Sequence, residues 1–323
     1  MYDIITFGSA TRDAFFYSND FKILKNKEFL SGRALALDLG SKVEISDVVF
    51  TTGGGGTNTA ASFANLGFNT ACVAQIGDDL SGEHIIDELK ENKVKTDFII
   101  KSKEEKTAYS VILSSKDLGR TILVYRGASG HIEPKKISWS KIKSKWIYIA
   151  STNGNFSLLN KIFQHAFKNK IKIAFNPGSK ELKNTPKIKS LLKRTDVLIL
   201  NQEEAASLTG IEYNKTNYIL KKLDILTSEI AVMTRGNSGV MVVDNGRVYS
   251  APSLGEKGVE RTGAGDAFGS GFVSGMILKN DIEYAMQLGS SNATSVIQKI
   301  GAKNGLLSKK DLNDIKKVKV SRE

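Results

Sequence analysis

Short β-branched runs alternate along this chain with stretches whose apolar residues recur at helical spacing. YDIITFG precedes a helical pattern over about 57–66, TACVAQIG precedes GEHIIDELKEN, WIYIAS precedes KIFQHAFKNK, and IKIAFNP and VLILN lead on to QEEAASLTG. Strands that alternate with helices in this way predict a doubly wound, mostly parallel sheet with helices on both faces, an α/β fold of Rossmann-like type. Two segments break the rhythm. Residues 14–52 and 97–125 read as strand and turn, as in KTAYSVILSS, the turn KDLGR and TILVY.

Two all-β insertions in an α/β chain pair most simply with each other, as a small sheet beside the main body. A lid over the carboxyl edge of the main sheet is its natural place, because open α/β sheets bind ligands there. The expected division is therefore a core of residues 1–13, 53–96 and 126–323 and a β lid of residues 14–52 and 97–125. The tail beyond Ser308 reads as a helix or a frayed end.

Composition narrows the classes. With 323 residues, 41% hydrophobic and 25% charged, the chain can bury a large core and is not a disordered protein. Cys72 is its one cysteine and His84, His131 and His165 are scattered, which excludes a disulfide framework and a zinc cluster and suits a reducing cytoplasm. The start, MYDIITFGSA, lacks a basic leader, and no window approaches the ~18 apolar residues of a membrane span. The formal charge of +12 admits an anionic ligand or a nucleic acid. Lysine spread along polar faces, as in KILKNK and KKDLNDIKKVKV, accounts for most of it and makes nucleic acid the weaker reading.

Four constellations carry candidate chemistry. In TTGGGGTNTAASFANLG, the run beginning Gly53 and Gly54 lets a backbone approach a ligand closely, and Asn58 in the following helix can both donate to and accept from hydroxyl groups; a flexible turn with a cap is the plainer alternative. In VLILNQEEAASLTG, Asn201 and Glu204 bring an amide and a carboxylate to one helix start, a place to hold the waters of Mg²⁺ or, more plainly, a capping box. In AVMTRGNSGVMVVDNG, Thr234, Gly236 and Gly239 leave a hydroxyl and open backbone at a strand end, where nucleotide phosphates often lie. In GVERTGAGDAFGSGF, Gly263, Ala264 and Gly265 can form an anion nest at a helix start into which Asp266 projects, as a cap or as a base.

Together, in this order, the four motifs resemble the ribokinase-like, or phosphofructokinase B, family of carbohydrate kinases. GGGGTNTAASFANLGFNTACVAQIGDDLSGE is similar to its amino-terminal signature and ERTGAGDAFGSGF to its carboxyl-terminal one, and the resemblance runs from Gly8 to about Leu307. It implies ATP and Mg²⁺ as cofactors, a small sugar or sugar-like acceptor, Asp266 as the base and the Gly263 to Gly265 backbone as the anion hole. It implies acceptor binding by Asp13, Gly53, Gly54 and Asn58, and ATP binding by Asn201, Thr234, Gly236, Gly239 and Asn292, with Glu204 ordering Mg²⁺ through water. The lid then covers the sugar, and in several members it pairs with a second subunit.

Departures from the family pattern bear on the acceptor. Gly55 stands where ribokinases proper have a lysine, and Glu260 and Arg261 stand where many members read DTTGAGD. A K⁺ site of the ribokinase kind would fall at Glu260, where a carboxylate is retained. Arg126 in TILVYRGASG is similar to an arginine of 2-keto-3-deoxygluconate kinases that meets an anionic acceptor, the alternative being a lid arginine facing solvent. Pentoses, hexoses, keto-deoxy sugar acids and, on the same scaffold, nucleosides are the acceptor classes left open. A non-catalytic nucleotide or nucleic-acid binder is the rival of another class.

Overall fold

In the first strand, successive side chains enter two different cores. Ile5 and Phe7 join Ile147, Ile149 and Phe175, whereas Ile4 joins Tyr148, Phe63 and Phe272 across the sheet. A strand with both faces covered belongs to the interior of a layered α/β structure. The computed structural model describes residues 1–29, 32–115, 119–256 and 258–322.

The chain begins with β1 (Tyr2–Phe7), then β2 (Thr11–Tyr17), the short pair β3 (Lys22–Lys25) and β4 (Arg33–Ala36), and β5 (Asp47–Gly53). It continues through α1 (Gly55–Asn65), β6 (Thr70–Gly77), α2 (Leu80–Glu91) and β7 (Ile99–Ser102), then β8 (Ala108–Ser115) and β9 (Gly119–Tyr125). After these come β10 (Ser144–Ile149), α3 (Phe156–Asn169), β11 (Lys172–Phe175), α4 (Ser179–Leu182), α5 (Thr185–Leu192) and β12 (Val197–Asn201). Next are α6 (Gln202–Thr209), α7 (Thr216–Leu226), β13 (Ile230–Thr234), β14 (Val240–Asp244) and β15 (Arg247–Ala251). The last elements are α8 (Ala264–Lys279), α9 (Ile282–Val296) and β16 (Ser321–Arg322).

Ten strands form the main sheet in the order β16-β15-β14-β13-β12-β11-β10-β1-β6-β7, parallel from β7 to β13 and antiparallel beyond. Helices α3, α5, α6 and α7 bury their apolar stripes on one face; α1, α2, α8 and α9 bury theirs on the other. From β1 the chain steps outward to β6 and β7, then returns to β10 and steps the opposite way. That reversal opens a crevice at the carboxyl ends of β1 and β10, the ligand position of open α/β sheets. The glycine run caps this crevice: Gly56 N donates to Ser9 O, and a Cβ on Gly55 would fall 2.7 Å from the Ala150 methyl.

A second sheet, β5-β2-β8-β9, stands beside it, with β3 and β4 as a separate pair. Its boundaries differ from the expected ones. Residues 99–102 belong to the main sheet, where β7 pairs with β6, because Phe98 and Ile100 pack into the main core. Asp13, expected in the core, lies on β2 of the small sheet. The turn KDLGR falls partly outside the described residues. Beyond Ser308 the chain makes one 3-10 turn and then pairs β16 with β15, so the tail ends as a strand, held by buried Val318.

The small residues of AGDAFGSGFVSG bring α8 against its neighbour: Gly271 faces Gly289, and a Cβ on Gly275 would lie 2.5 Å from the Ala285 Cα. Backbone cannot yield as a flexible side chain would. Gly275→Ala is therefore expected to lower the unfolding free energy by about 1–3 kcal/mol despite alanine's better helix propensity. Urea denaturation checks this, and an unchanged midpoint would show that α9 slides freely on α8.

Candidate active site

At the acceptor end, Asp13 is 5% exposed and lies opposite Thr51 on β5 and Ser110 on β8. Thr11 Oγ1 donates to its Oδ1 at 3.1 Å. A Cβ on Gly53 would fall 2.0 Å from Asp13 Oδ2, so Gly53 serves the carboxylate by leaving it room. Gly54, at φ +98°, turns the chain from β5 into α1, and a Cβ there would strike the Ser9 carbonyl at 2.5 Å. Burial raises the Asp13 pKa above the ordinary aspartate value, with Ser110, Thr11 and the nearby Lys303 acting against it.

Asn58, in the first turn of α1, is 4% exposed and donates from Nδ2 to Asp266 Oδ2 at 2.8 Å. Its Oδ1 is buried and has no partner among the described residues. A buried acceptor left unpaired costs about 1–3 kcal/mol, and a hydroxyl donor from a ligand relieves that cost. Asp266, in the first turn of α8, has its pKa raised by burial, opposed first by the Asn58 bond and then by Lys303. A raised pKa makes it the stronger base. Tyr148 Oη, which sequence reasoning missed, is buried without a partner beneath Gly269, where the negative charges of Asp266 and Glu204 add to burial in holding it neutral.

The cradle sits beside this carboxylate. Gly263 caps α8 at φ +81°, where a Cβ would fall 2.4 Å from the Ala302 methyl. Ala264 N turns back to the Arg261 carbonyl at 3.3 Å, which leaves Gly265 and Asp266 as the first-turn donors of the helix. At Gly265 a Cβ would meet no protein atom within 4 Å, so the space over it is open. A cavity of about 220 Å³ extends from Ala264 and Gly265 to Thr234, Gly236 and Gly239 at the end of β13. Its apolar wall includes Phe268, Leu254 and Ile297.

Asn292 does not line that cavity. It is fully buried, donating to Ser62 Oγ and the Ala267 carbonyl and accepting from Leu307 N, so it braces α9 against α1 and α8. The wall is made instead by Ser290, Ala293, Thr294 and Ile297 of the same segment. Their i, i+3, i+4, i+7 spacing is a helix face, a signal the sequence carried.

Asn201 and Glu204 form the capping box: Glu204 N donates to Asn201 Oδ1 at 2.8 Å and Asn201 N to Glu204 Oε2 at 2.9 Å. Asn201 is also in register with Thr234, which places the pair beside the cavity. Burial raises the Glu204 pKa. The described residues include no group of three or more His, Cys, Asp or Glu able to hold a metal by themselves. One carboxylate and one amide at a phosphate-sized opening fit Mg²⁺, which keeps most of its waters and takes its remaining ligands from phosphates.

Glu260, the position of the expected cation site, stands at the centre of a hydrogen-bond network. Its Oε1 accepts from Arg261 N at 2.7 Å, Thr262 N at 3.0 Å and Thr262 Oγ1 at 2.9 Å, and pairs with the guanidinium of Arg120 on β9. Arg120 also donates to Thr262 Oγ1 at 2.7 Å. A lid side chain thus meets this charge. Arg126 is exposed just beyond β9 and faces solvent; Arg120 is the lid arginine that reaches inward.

The fold is a doubly wound sheet with a β lid, and its crevice joins an acidic acceptor end to a nucleotide-sized cavity. A model of the pfkB family carbohydrate kinases matches residues 4–309, and the chain belongs to that family. It is similar to a ribokinase of Haemophilus influenzae, 25% identical over 264 residues that cover 80% of this chain and 85% of the relative. A nucleoside kinase of Methanocaldococcus jannaschii is 24% identical over 261 residues, covering 79% and 82%. The solved structure of Arabidopsis thaliana ribokinase complexed with ribose and ATP superimposes with a TM-score of 0.81 at 19% identity, covering 97% of this chain and 98% of that one. The protein is thus an ATP-dependent kinase of the sugar and nucleoside kinase group. No helix among the described residues is long and apolar enough to cross a membrane.

Open space over Gly265 separates folding from catalysis. Gly265→Ala is expected to keep the wild-type melting temperature while kcat falls at least tenfold, because the methyl enters the open space at the helix start rather than the core. Thermal melts alongside steady-state kinetics decide it; undiminished kcat would place the transferred group elsewhere.

Proposed function

We propose that the protein phosphorylates an alcohol group of a small sugar, with Asp266 as the base. The observation that carries this reading is the Asn58–Asp266 pair, whose amide holds the carboxylate at 2.8 Å and keeps a buried carbonyl oxygen free for an acceptor hydroxyl. Asp13 accepts hydrogen bonds from neighbouring sugar hydroxyls, and its raised pKa marks a charge that gains from such donors. The acceptor hydroxyl so oriented gives its proton to Asp266, while the Gly263 to Gly265 segment receives the transferring phosphoryl group. Phosphoryl transfer asks for positioning and charge stabilisation more than for a strong base, which suits a carboxylate. Thr234, Gly236 and Gly239 hold the nucleotide in the adjoining cavity. Glu204 and Asn201 would hold the waters of Mg²⁺, which when bound neutralises phosphate charge.

Pentoses, hexoses and keto-deoxy sugar acids form the proposed acceptor class. A nucleoside is the second reading, favoured by Ile122 and Val124: they share the Asp13 face of the lid sheet, are about half exposed, and suit the flat face of a base. On the opposite face, Phe50, Leu123 and Tyr125 are exposed, which supports a homodimer through the lid. Neutralisation of Glu260 by Arg120 argues for turnover without added K⁺.

The first test is acceptor-dependent ADP release across a panel of these sugars, sugar acids and nucleosides with Mg²⁺ and ATP. Turnover with one class names the acceptor; none with any class, from folded protein, ends the proposal. Asp266→Asn is expected to lower kcat by about 10²- to 10⁴-fold while ATP binding persists. Its pH dependence has a defined sign. A carboxyl whose pKa is raised in the folded state contributes stability at low pH that is lost as pH rises through that pKa. Asp266→Asn should therefore raise Tm at pH 7, and the gain should vanish in acid. The wild-type acid limb of kcat should lie above the ordinary aspartate range.

A further inference from the structure

Lys303 is a buried cation to which the proposed chemistry assigns no role. It stands in the segment after α9, its side chain 3% exposed, and Nζ donates to Thr52 O at 2.8 Å and Thr52 Oγ1 at 2.6 Å, with Glu88 Oε1 of α2 at 3.5 Å. Thr52 immediately precedes Gly53, over which the Asp13 carboxylate lies, so the ammonium and Asp13 share one short piece of β5. One residue earlier, Ala302 closes on Gly263 of the cradle. The segment thus touches the strand that enters the glycine run, the lid strand partner of Asp13, and the helix start that carries Asp266.

We infer that Lys303 is a positioning residue of the acceptor site, a buried ammonium that keeps Asp13 and Asp266 ionised together. Each of these two carboxylates is buried, burial drives a carboxylate to take up a proton, and a nearby cation opposes that. A protonated Asp266 is no base, and a protonated Asp13 loses half of its capacity to accept from sugar hydroxyls. The groups that face the ammonium are Glu88 from α2, Asp13 from β2, Cys72 from β6 and Asp266 from α8. Glu88 and Asp13 favour the charged amine against its burial. Cys72 stays a thiol, its pKa pushed up to about 11, so it adds no charge. The charge has one direct ion-pair partner, Glu88, and beyond it the ammonium acts on the two acids of the crevice.

This inference rests on the kinase reading, and its test keeps the two apart. Lys303→Gln retains a donor for Thr52 and deletes the charge; Lys303→Met deletes both. The first readout needs no turnover: carboxyl ¹³C NMR titration of Asp13 and Asp266 in wild type and Lys303→Gln, each assigned by its Asn variant. Both titrations are expected to move up by about one pH unit when the charge is lost. In kinetics with the acceptor that the panel identifies, the acid limb of kcat/KM should move up by the same amount. Acceptor KM below that limb should rise several-fold while KM for ATP stays unchanged. Folded Lys303→Gln with unmoved carboxyl titrations overturns the inference and shows a purely structural tie, even where the kinase reading stands. Should Lys303→Met fail to fold, Lys303→Gln and the wild-type titrations still decide the matter.

Discussion

One hydrogen bond, from Asn58 to Asp266, joins two helix starts 208 residues apart in sequence at 2.8 Å. Everything around it makes that distance attainable. The Gly8 to Ala10 turn must lie against Gly54 and Gly56 for α1 to begin over the crevice, and Gly263 must adopt a left-handed conformation against Ala302 for α8 to begin beside it. A second bond one turn further along each helix, Ser270 Oγ to Ser62 Oγ at 2.7 Å, repeats the link, and Asn292 bonds Ser62 from α9. The three helices are braced by buried hydroxyls and amides, and Asp266 is the member of the series that lies nearest the crevice.

Much of this was legible in the sequence because its causes are local. The alternation of strand and helix patterns gave the doubly wound sheet, and GGGGTN and GAGD marked helix starts whose glycines the packing demands. What stayed hidden depends on long-range pairing. That β7 continues the main sheet follows from Phe98 and Ile100 finding that core, which no pattern within residues 97–125 reveals. Arg120 lies on β9 and Arg126 just past its end; that Arg120 reaches across to Glu260 depends on a contact between segments far apart in sequence, which no local pattern reveals. Asn292 entered only through the family resemblance, and its hydrogen bonds go to Ser62, Ala267 and Leu307, partners that only the packing of α9 on α1 and α8 brings together.

Electrostatically the crevice is divided. Its acceptor end holds Asp13 and Asp266, both pushed toward the neutral form by burial, with Lys303 behind them. Its nucleotide end presents helix-start donors and Arg261. The two ends of the crevice thus differ in character, one rich in hydrogen-bond donors and the other in carboxylates. The formal charge of +12 plays no part in this; it belongs to the lysine-rich outer faces.

The close fit of Gly53 beneath Asp13 carries a consequence for divergence. Because any side chain at 53 would collide with the carboxylate at 2.0 Å, Gly53 cannot change while Asp13 is kept. A lineage can leave that pair intact and vary Ile122 and Val124 on the far strand of the lid, where exposed side chains change without disturbing a core. Change in this architecture is therefore open along one strand of the lid, while the fit of Gly53 beneath Asp13 is closed to it.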